Sequence, residues 1–206
     1  MVNTIFDQLR QQEKENRRFA IVDVAEKILH DKGLEAVTIR NVAKMAGLSS
    51  GSMYMYFKNK EELLLCMLVQ NLKVLKKDMD TCMDNQNPME AIKKMAYHYK
   101  SYFIRFGKYI NILSFTIRED SGFNNLNPEM VKELKDILSK LLALVQETLS
   151  APPMKGALKG LPPERCVPVL WALIQGLVQI TIPAPTPEDT FFDFDQLLED
   201  VTHILI

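Results

Sequence analysis

Cysteine and histidine are scarce in this chain of 206 residues, which has three of each. The cysteines Cys66, Cys82 and Cys166 are too few and too widely spaced to indicate a disulfide framework or a zinc site. We therefore predict thiols in a reducing cytoplasm, with a redox-sensing thiol as the alternative. Neither a metal nor a cofactor is predicted.

The residue constellations that enzymes need are also missing from the sequence. There is no evident pair of carboxylates, nucleophile with a base, glycine-rich phosphate loop or metal-ligand spacing. Three distant histidines supply little general acid–base chemistry. These absences argue against an enzyme, although a hydrophobic content of 47% is ample for a folded core.

A membrane segment is not predicted either. The polar, charged N-terminus argues against a signal peptide, and the longest uncharged stretch, Cys166–Pro187, contains four prolines. These prolines confine a helix to about 15 residues, fewer than the roughly 20 apolar residues that span a bilayer. We expect this helix to be buried in a core or an interface.

Charge is unevenly distributed along the chain, although the net charge is −1. Residues 1–60 hold ten basic and seven acidic residues, a net charge of +3, whereas the remainder holds 15 and 19, a net charge of −4. A basic first part on an acidic remainder suits a protein that meets phosphate at one end only.

Apolar residues recur at helical spacing along the whole chain, and no β pattern competes with them. The sequence therefore predicts an all-α fold of about nine helices. The predicted helices cover about 14–32, 38–46, 50–57, 60–85, 88–107, 108–118, 128–150, 164–182 and 193–205.

The most informative stretch is Thr38–Lys60, TIRNVAKMAGLSSGSMYMYFKNK. Two short helical patterns are joined there by Ala46-Gly47-Leu48-Ser49, and the stretch contains no acidic residue. This pattern is typical of a helix-turn-helix that places a short helix in the major groove of DNA. The four basic residues of the stretch are Arg40, Lys44, Lys58 and Lys60.

A long helix should connect this small head to a larger body. Asn59 and Glu62 have the spacing of a capping box, so we predict a helix that begins at Lys60 and continues to about Asn85. It is too long to belong to the head alone. The predicted domains are a DNA-binding head over 1–60 and a helical ligand-binding and dimerisation domain over 61–206.

Residues 17–64 resemble the DNA-binding region of the TetR family of bacterial transcriptional regulators, of the TetR/AcrR type. Met53 and Met55 are small departures that keep an apolar side chain. The remaining two thirds agree with the family in helix count and order alone. The resemblance is carried by Ala25, Gly33, Thr38-Ile39-Arg40, Val42-Ala43, Ala46-Gly47-Leu48-Ser49, Gly51, Tyr54, Tyr56-Phe57 and Lys60-Glu61-Glu62-Leu63.

The resemblance implies a TetR-type region over about 14–74, with its helix-turn-helix over 37–56. It implies a homodimer whose two heads bind a palindromic double-stranded DNA operator, and a small-molecule effector, apolar or aromatic, that binds in the body and releases the DNA. Repression is the commoner outcome in the family. The alternative function is a coactivator or adaptor of the same fold that does not bind DNA directly, but the uncompensated cations of Thr38–Lys60 argue against it.

The predicted DNA contacts lie on both helices of the helix-turn-helix and at the start of the long helix. Each has an ordinary alternative: a helix cap for Thr38, a solvated side chain for Arg40 and Lys60, and a core position for the tyrosines. Lys44 and Lys58 are peripheral. The predicted set is Thr38, Arg40, Ser50, Gly51, Ser52, Tyr54, Tyr56 and Lys60.

Two further sets of residues are predicted in the body. A pocket would be mostly apolar with a few polar groups, although an aromatic stripe at this spacing also suits a core. Its candidate residues are Tyr99, Tyr102, Phe103, Phe106, Trp171 and Gln175. The apolar faces of the last two helices exceed what one subunit needs and predict a four-helix dimer contact. That interface is assigned to Leu170, Ile174, Leu177, Val178, Leu197, Leu198, Val201 and Leu205.

Overall fold

The computed structural model describes residues 4–84, 86–118, 126–154, 161–181 and 192–205, with the backbone alone for 107–118 and 204–205. Every regular element in these ranges is helical, which confirms the predicted all-α fold. The eight α-helices are α1 (Ile5–Lys32), α2 (Ile39–Met45), α3 (Ser50–Met53), α4 (Lys60–Asp80), α5 (Pro88–Arg118), α6 (Pro128–Leu149), α7 (Pro163–Thr181) and α8 (Phe194–Leu205).

Two predicted helices are in fact one, so the described residues form eight helices and not nine. The sequence predicted a break at Gly107, but α5 continues through it to Arg118. A glycine inside a helix costs about 1 kcal/mol, which is too little to end a helix whose flanking turns are well formed. Similarly, α4 ends at Asp80 and not near Asn85.

The first helix also differs from the prediction, which began it at Lys14. It begins at Ile5, because Thr4 and Asp7 form a capping box in which the Asp7 amide donates to Thr4 Oγ1 at 3.2 Å. The Thr4 amide donates to Asp7 Oδ2 at 3.2 Å in return. The Thr4 hydroxyl also donates to Asp7 Oδ2, at 2.6 Å, and this bond, ahead of the one from the Thr4 amide, lowers the pKa of the Asp7 carboxyl. The polar segment before Lys14 is therefore a capped helical extension.

The chain forms two compact units, one made of 1–70 with 113–134 and the other of 71–112 with 135–206. Helices α4, α5 and α6 each contribute residues to both units. The predicted domain boundary at residue 60 stays a prediction. The predicted turn at 183–187 and most of the predicted loop at 119–127 lie outside the described residues.

The core of the first unit forms where α1 packs on the helix-turn-helix. Met53 and Phe57 are fully buried there. The Arg18 guanidinium lies over the Phe57 ring, 5.4 Å from its centroid. Since α3 has only four residues and such a helix is unstable alone, these buried side chains hold it in place.

Glycines and caps set the two turns of the head. Gly33 and Gly47 have φ angles of 79° and 69°, in the region that residues with a side chain rarely adopt. The Gly33 amide donates to Leu29 O at 2.9 Å, which ends α1. After Gly47, the Ser49 hydroxyl accepts from the Ser52 amide at 3.0 Å and caps α3. The predicted break at Gly47 and the cap at Ser49 are both confirmed.

In the second unit, α8 is attached to α5 by side chains from both helices. Lys93 Nζ donates to Glu199 Oε1 and Oε2 at 2.6 and 2.7 Å, and the Tyr97 hydroxyl donates to Asp195 Oδ1 at 2.9 Å. We call this set the α5–α8 clasp. No helix in the described part of the chain is long and apolar enough to cross a membrane.

Candidate DNA-binding surface and effector pocket

Thr38 is the N-cap of α2, which confirms the ordinary role that the sequence allowed it. Its hydroxyl accepts from the Asn41 amide at 3.1 Å, and the Asn41 side chain donates to Ala36 O at 2.9 Å. These bonds fix the connection that precedes α2. A contact from Thr38 to phosphate stays a prediction, and it is compatible with the cap because helix N-termini attract anions.

Arg40 and the start of α3 present exposed polar groups. Arg40 is exposed on the first turn of α2, and Ser50 and Gly51 are exposed at the start of α3. A Cβ atom added to Gly51 would meet nothing closer than Ser49 Oγ at 3.8 Å, so the protein leaves open space there. Ser52 is half-buried because its hydroxyl and amide both bond to Ser49.

The two predicted tyrosines lie beyond the end of α3, in the turn formed by residues 54–56. The sequence extended this helix to Phe57, but it ends at Met53. The Tyr54 ring is 58% exposed, which removes the alternative that it fills the core. Tyr56 is half-buried, and its hydroxyl, ahead of the Glu13 carboxylate, raises the pKa of the Arg17 guanidinium.

Lys60 has a structural partner in the head. Its Nζ atom donates to Leu34 O at 3.1 Å, at the short 3₁₀ turn that follows α1. The helix it begins is capped by Asn59, whose Oδ1 atom accepts from the Glu62 amide at 2.8 Å. The Glu62 carboxylate bonds to the Lys58 amide and not to the Asn59 amide. The prediction is therefore correct for the N-cap residue, Asn59. The Glu62 carboxylate, however, accepts from the amide one residue before the one that a capping box uses.

Sequence reasoning did not single out two methionines of this region as surface residues. Met45 and Met55 are 47% and 66% exposed, at the end of α2 and in the turn after α3. An exposed methionine has an apolar, flexible side chain that can pack on the methyl group of thymine. The position of Met55 between two tyrosines that were predicted to contact DNA could have indicated that its side chain is also on the surface.

An apolar cavity of about 50 Å³ lies within the second unit. Of the predicted pocket residues, Tyr99 and Trp171 line it, with their ring centroids 4.7 Å apart. No charged side chain is among the lining residues that the structure describes. The other lining residues are Leu75, Met79, Ile92, Met95, Ala96, Leu141, Leu142, Val145, Val167, Leu170 and Ile174.

Four predicted pocket residues are placed elsewhere. Tyr102 and Phe103 are buried in the aromatic cluster around Tyr99, and Phe106 is half-buried 5.6 Å from Tyr102. Gln175 is half-buried on α7. The aromatic spacing therefore indicated the correct helix face but not which residues reach the cavity. The aliphatic lining was missed because leucine and methionine at helical spacing indicate a core equally well.

Tyr99 is the one titratable side chain among the described lining residues, and burial changes its chemistry. Tyr99 is 4% exposed, and burial alone raises the pKa of its hydroxyl to about 12. The side chain is therefore neutral at physiological pH. The cavity can hold an uncharged apolar group, and it offers no cation to neutralise a carboxylate or a phosphate.

Most of the residues assigned to the dimer interface are buried within the chain, where α7 packs against α8. They are therefore not available on the surface of one subunit, and the position of the interface stays a prediction. Leu197 is half-buried, and the side chain of Leu205 lies outside the described residues. The residues buried within the chain are Leu170, Ile174, Leu177, Val178, Leu198 and Val201.

The first unit thus contains a helix-turn-helix with exposed polar groups, an arrangement found in DNA-binding proteins, and the second unit encloses an apolar cavity. Residues 21–67 match the family model for "Bacterial regulatory proteins, tetR family". The DNA-binding region of the chain is thus that of the TetR family, and the relatives of the chain are transcriptional regulators of that family, which are not enzymes.

The match extends over nearly the whole length of one relative and of two solved structures. The fatty acid metabolism regulator protein of Bacillus subtilis (strain 168) is 24% identical over 195 residues, covering 94% of this chain and 96% of that protein. A TetR/AcrR-family regulator from Thermobifida fusca YX-ER1 has a TM-score of 0.64 at 20% identity, covering 92% and 96% of the two chains. AibR, in complex with isovaleryl coenzyme A and operator DNA, has a TM-score of 0.62 at 16% identity, covering 92% and 97%.

Replacing Arg40 by alanine tests the predicted groove contact. A bidentate bond from arginine to guanine contributes about 1–3 kcal/mol of discrimination, so Arg40→Ala should weaken operator binding roughly 5- to 150-fold and relax the preference at particular base pairs. Fluorescence anisotropy with single-base operator variants measures both effects. Arg105→Ala, an exposed arginine of α5, is the control. Equal binding by Arg40→Ala and the control would contradict the assignment.

The buried Tyr99 hydroxyl predicts a specific loss of stability in alkali. Because the pKa is raised in the folded state, this stabilisation is complete below about pH 10 and is lost as the pH rises toward 12. Between pH 9 and pH 11 the free energy of unfolding of the wild type should fall about 1 kcal/mol further than that of Tyr99→Phe. Urea unfolding at the two pH values measures the difference. Tyr54→Phe, at an exposed ring, should follow the wild type, and an equal fall in all three proteins would refute the prediction.

Proposed function

We propose that this protein is a cytoplasmic, effector-responsive repressor that binds a palindromic operator as a homodimer. The observation that carries the proposal is that α4, which begins in the head, also forms part of the cavity wall. Leu75 and Met79 of α4 line the cavity, and the same helix begins at Lys60 in the head. A ligand in the cavity therefore touches the helix that is continuous with the DNA-binding end of the chain.

The lining suggests which part of an effector would enter. A cavity with one neutral hydroxyl and no charged residue favours a hydrocarbon or aromatic group and leaves any charged group outside. Two similar proteins agree with this choice, since one is a fatty acid metabolism regulator and the other was solved with isovaleryl coenzyme A. We take the acyl group of a thioester as the leading candidate.

The size of the cavity supports a release mechanism based on a population shift. Its volume of about 50 Å³ exceeds the roughly 10–15 Å³ that one water molecule needs, but a longer acyl chain requires more space. Such a ligand binds better to conformations in which the walls have separated, and it shifts the population toward them. If α4 moves with its wall, the position of the head changes and the affinity for the operator falls.

The homodimer is supported by the outer face of α7. Val169 and Ile180 are 48% and 52% exposed, and Ala172 and Gly176 lie between them at helical spacing. Two copies of this face can meet about a twofold axis, because small residues let helices approach closely and the larger ones pack beside them. This face replaces the buried residues that the sequence assigned to the interface.

Filling the cavity tests the effector site. Ala96→Leu adds volume to the cavity wall, so the variant should bind operator like the wild type but keep it at acyl-CoA concentrations that release the wild type. DNA release and quenching of Trp171, the single tryptophan of the chain, measure the response to an acyl-CoA series of increasing chain length. Ala143→Leu, at an exposed position of α6, is the matched control. Release of both variants at the wild-type concentration would reject this site.

Charge substitution on α7 tests the dimer. Val169→Glu with Ile180→Glu should produce a monomer at micromolar concentration in analytical ultracentrifugation, because a symmetric contact would bring like charges together. Ile104→Glu replaces another isoleucine, 57% exposed, on α5 and should leave the oligomeric state unchanged. A wild-type protein that is itself monomeric at this concentration would contradict the proposed homodimer.

A further inference from the structure

The first half of α1 extends beyond the core of the head. The first buried residue of this helix is Ile21, and only Glu15, Arg18 and Phe19 are half-buried before it. At 1.5 Å per residue, the segment from residue 5 to 20 is roughly 24 Å long. We call residues 5–20 the α1 extension. The head does not need it for its core, so its surface is available for another interaction.

Three cations of the α1 extension share one helix face. Arg10, Lys14 and Arg17 are spaced by four and three residues, so their side chains fall within about 60° of one another at 100° per residue. The same face continues into the buried residues Ile21 and Ile28. The cations therefore project toward the side of α1 on which the helix-turn-helix packs, and not toward its outer side.

The contact between Arg18 and Phe57 locates the α1 extension relative to the DNA-binding surface. The Arg18 guanidinium lies 5.4 Å from the centroid of the Phe57 ring, directly after the turn that contains Tyr54 and Tyr56. Lys14 and Arg10 lie roughly 6 and 12 Å farther along the helix than Arg18, away from this turn. They are thus placed one and two turns beyond the point where α1 meets a turn whose two tyrosines are predicted DNA contacts.

The acidic side chains of the α1 extension have partners, whereas two of its cations have none among the described residues. Asp7 is bonded to Thr4, and Glu13 pairs with Arg17 at 2.5 Å. Glu15 lies 4.0 Å from Arg18. No ion pair with a described residue involves Arg10 or Lys14, and both are exposed. These two charges are available for an anionic partner.

We propose that the α1 extension is a second DNA-contacting element, in which Arg10 and Lys14 bind backbone phosphates that flank the site of the helix-turn-helix. This inference rests on the proposed operator binding and adds a contact outside residues 21–67, the part of the chain that matches the family model. The contact carries no sequence information, because it is made to phosphate. Each neutralised phosphate contributes about 0.9 to the slope of log K against log salt concentration.

The salt dependence of binding to a 40-base-pair duplex, selected from a random library with the wild-type protein, tests the proposal. The double variant Arg10→Gln with Lys14→Gln should lower the slope by about 1.8 for each bound protomer, or about 3.6 for a dimer. Lys27→Gln with Lys32→Gln removes two exposed cations from the other end of the same helix and should keep the wild-type slope. Circular dichroism should show both double variants folded, because all four positions are exposed.

Shortening the duplex locates the contact. Removing the flanking base pairs should lower the wild-type slope to that of the Arg10/Lys14 variant. The slope of the variant should be the same on the long and the short duplex. If wild type and both variants bind the long duplex with equal slopes, this inference is wrong and operator binding still stands. If the slope of the variant falls but the flanks have no effect, the flanking assignment is wrong. If the wild type selects no duplex, the proposed function itself fails.

Discussion

The burial of Met53 and Phe57 is the interaction on which the head depends. A helix of four residues is not stable alone, since the conformational entropy lost in forming the first turn exceeds the free energy gained from its hydrogen bond. Both side chains are fully buried, and Arg18 covers the Phe57 ring. The exposed side of α3 carries only small polar groups as a result, because its apolar side chains point inward. The exposed surface of α3 is thus polar because the core buries the apolar side chains of this region.

The head could be predicted from sequence in more detail than the body, for a physical reason. Its turns need residues with special backbone or capping properties, such as Gly47 and Ser49, and these identify themselves. The cavity is lined mainly by leucine, isoleucine, valine and methionine, and their spacing is the same whether a helix faces a core or a pocket. Only the three-dimensional arrangement shows that Tyr99 and Trp171 border an open space.

The errors in helix boundaries also have local causes. Gly107 was predicted to end a helix, but a glycine alone does not end one, and α5 continues through it. The extension before Lys14 was underestimated because its apolar residues are sparse, whereas the Thr4–Asp7 capping box that begins it depends on two polar residues three positions apart. In both places residue composition was a poor guide to the helix boundary, which depends on whether the backbone hydrogen bonds of the helix are formed.

The α5–α8 clasp gives the two faces of α5 different physical characters. One face borders the cavity through Met95 and Tyr99, where water is largely excluded. The other attaches α8 through the Lys93–Glu199 ion pair, which is partly exposed and therefore screened by dissolved ions. A rise in ionic strength therefore weakens the attachment of α8 but leaves the packing of the cavity wall largely unaffected. The two faces of α5 thus differ in their response to dissolved ions.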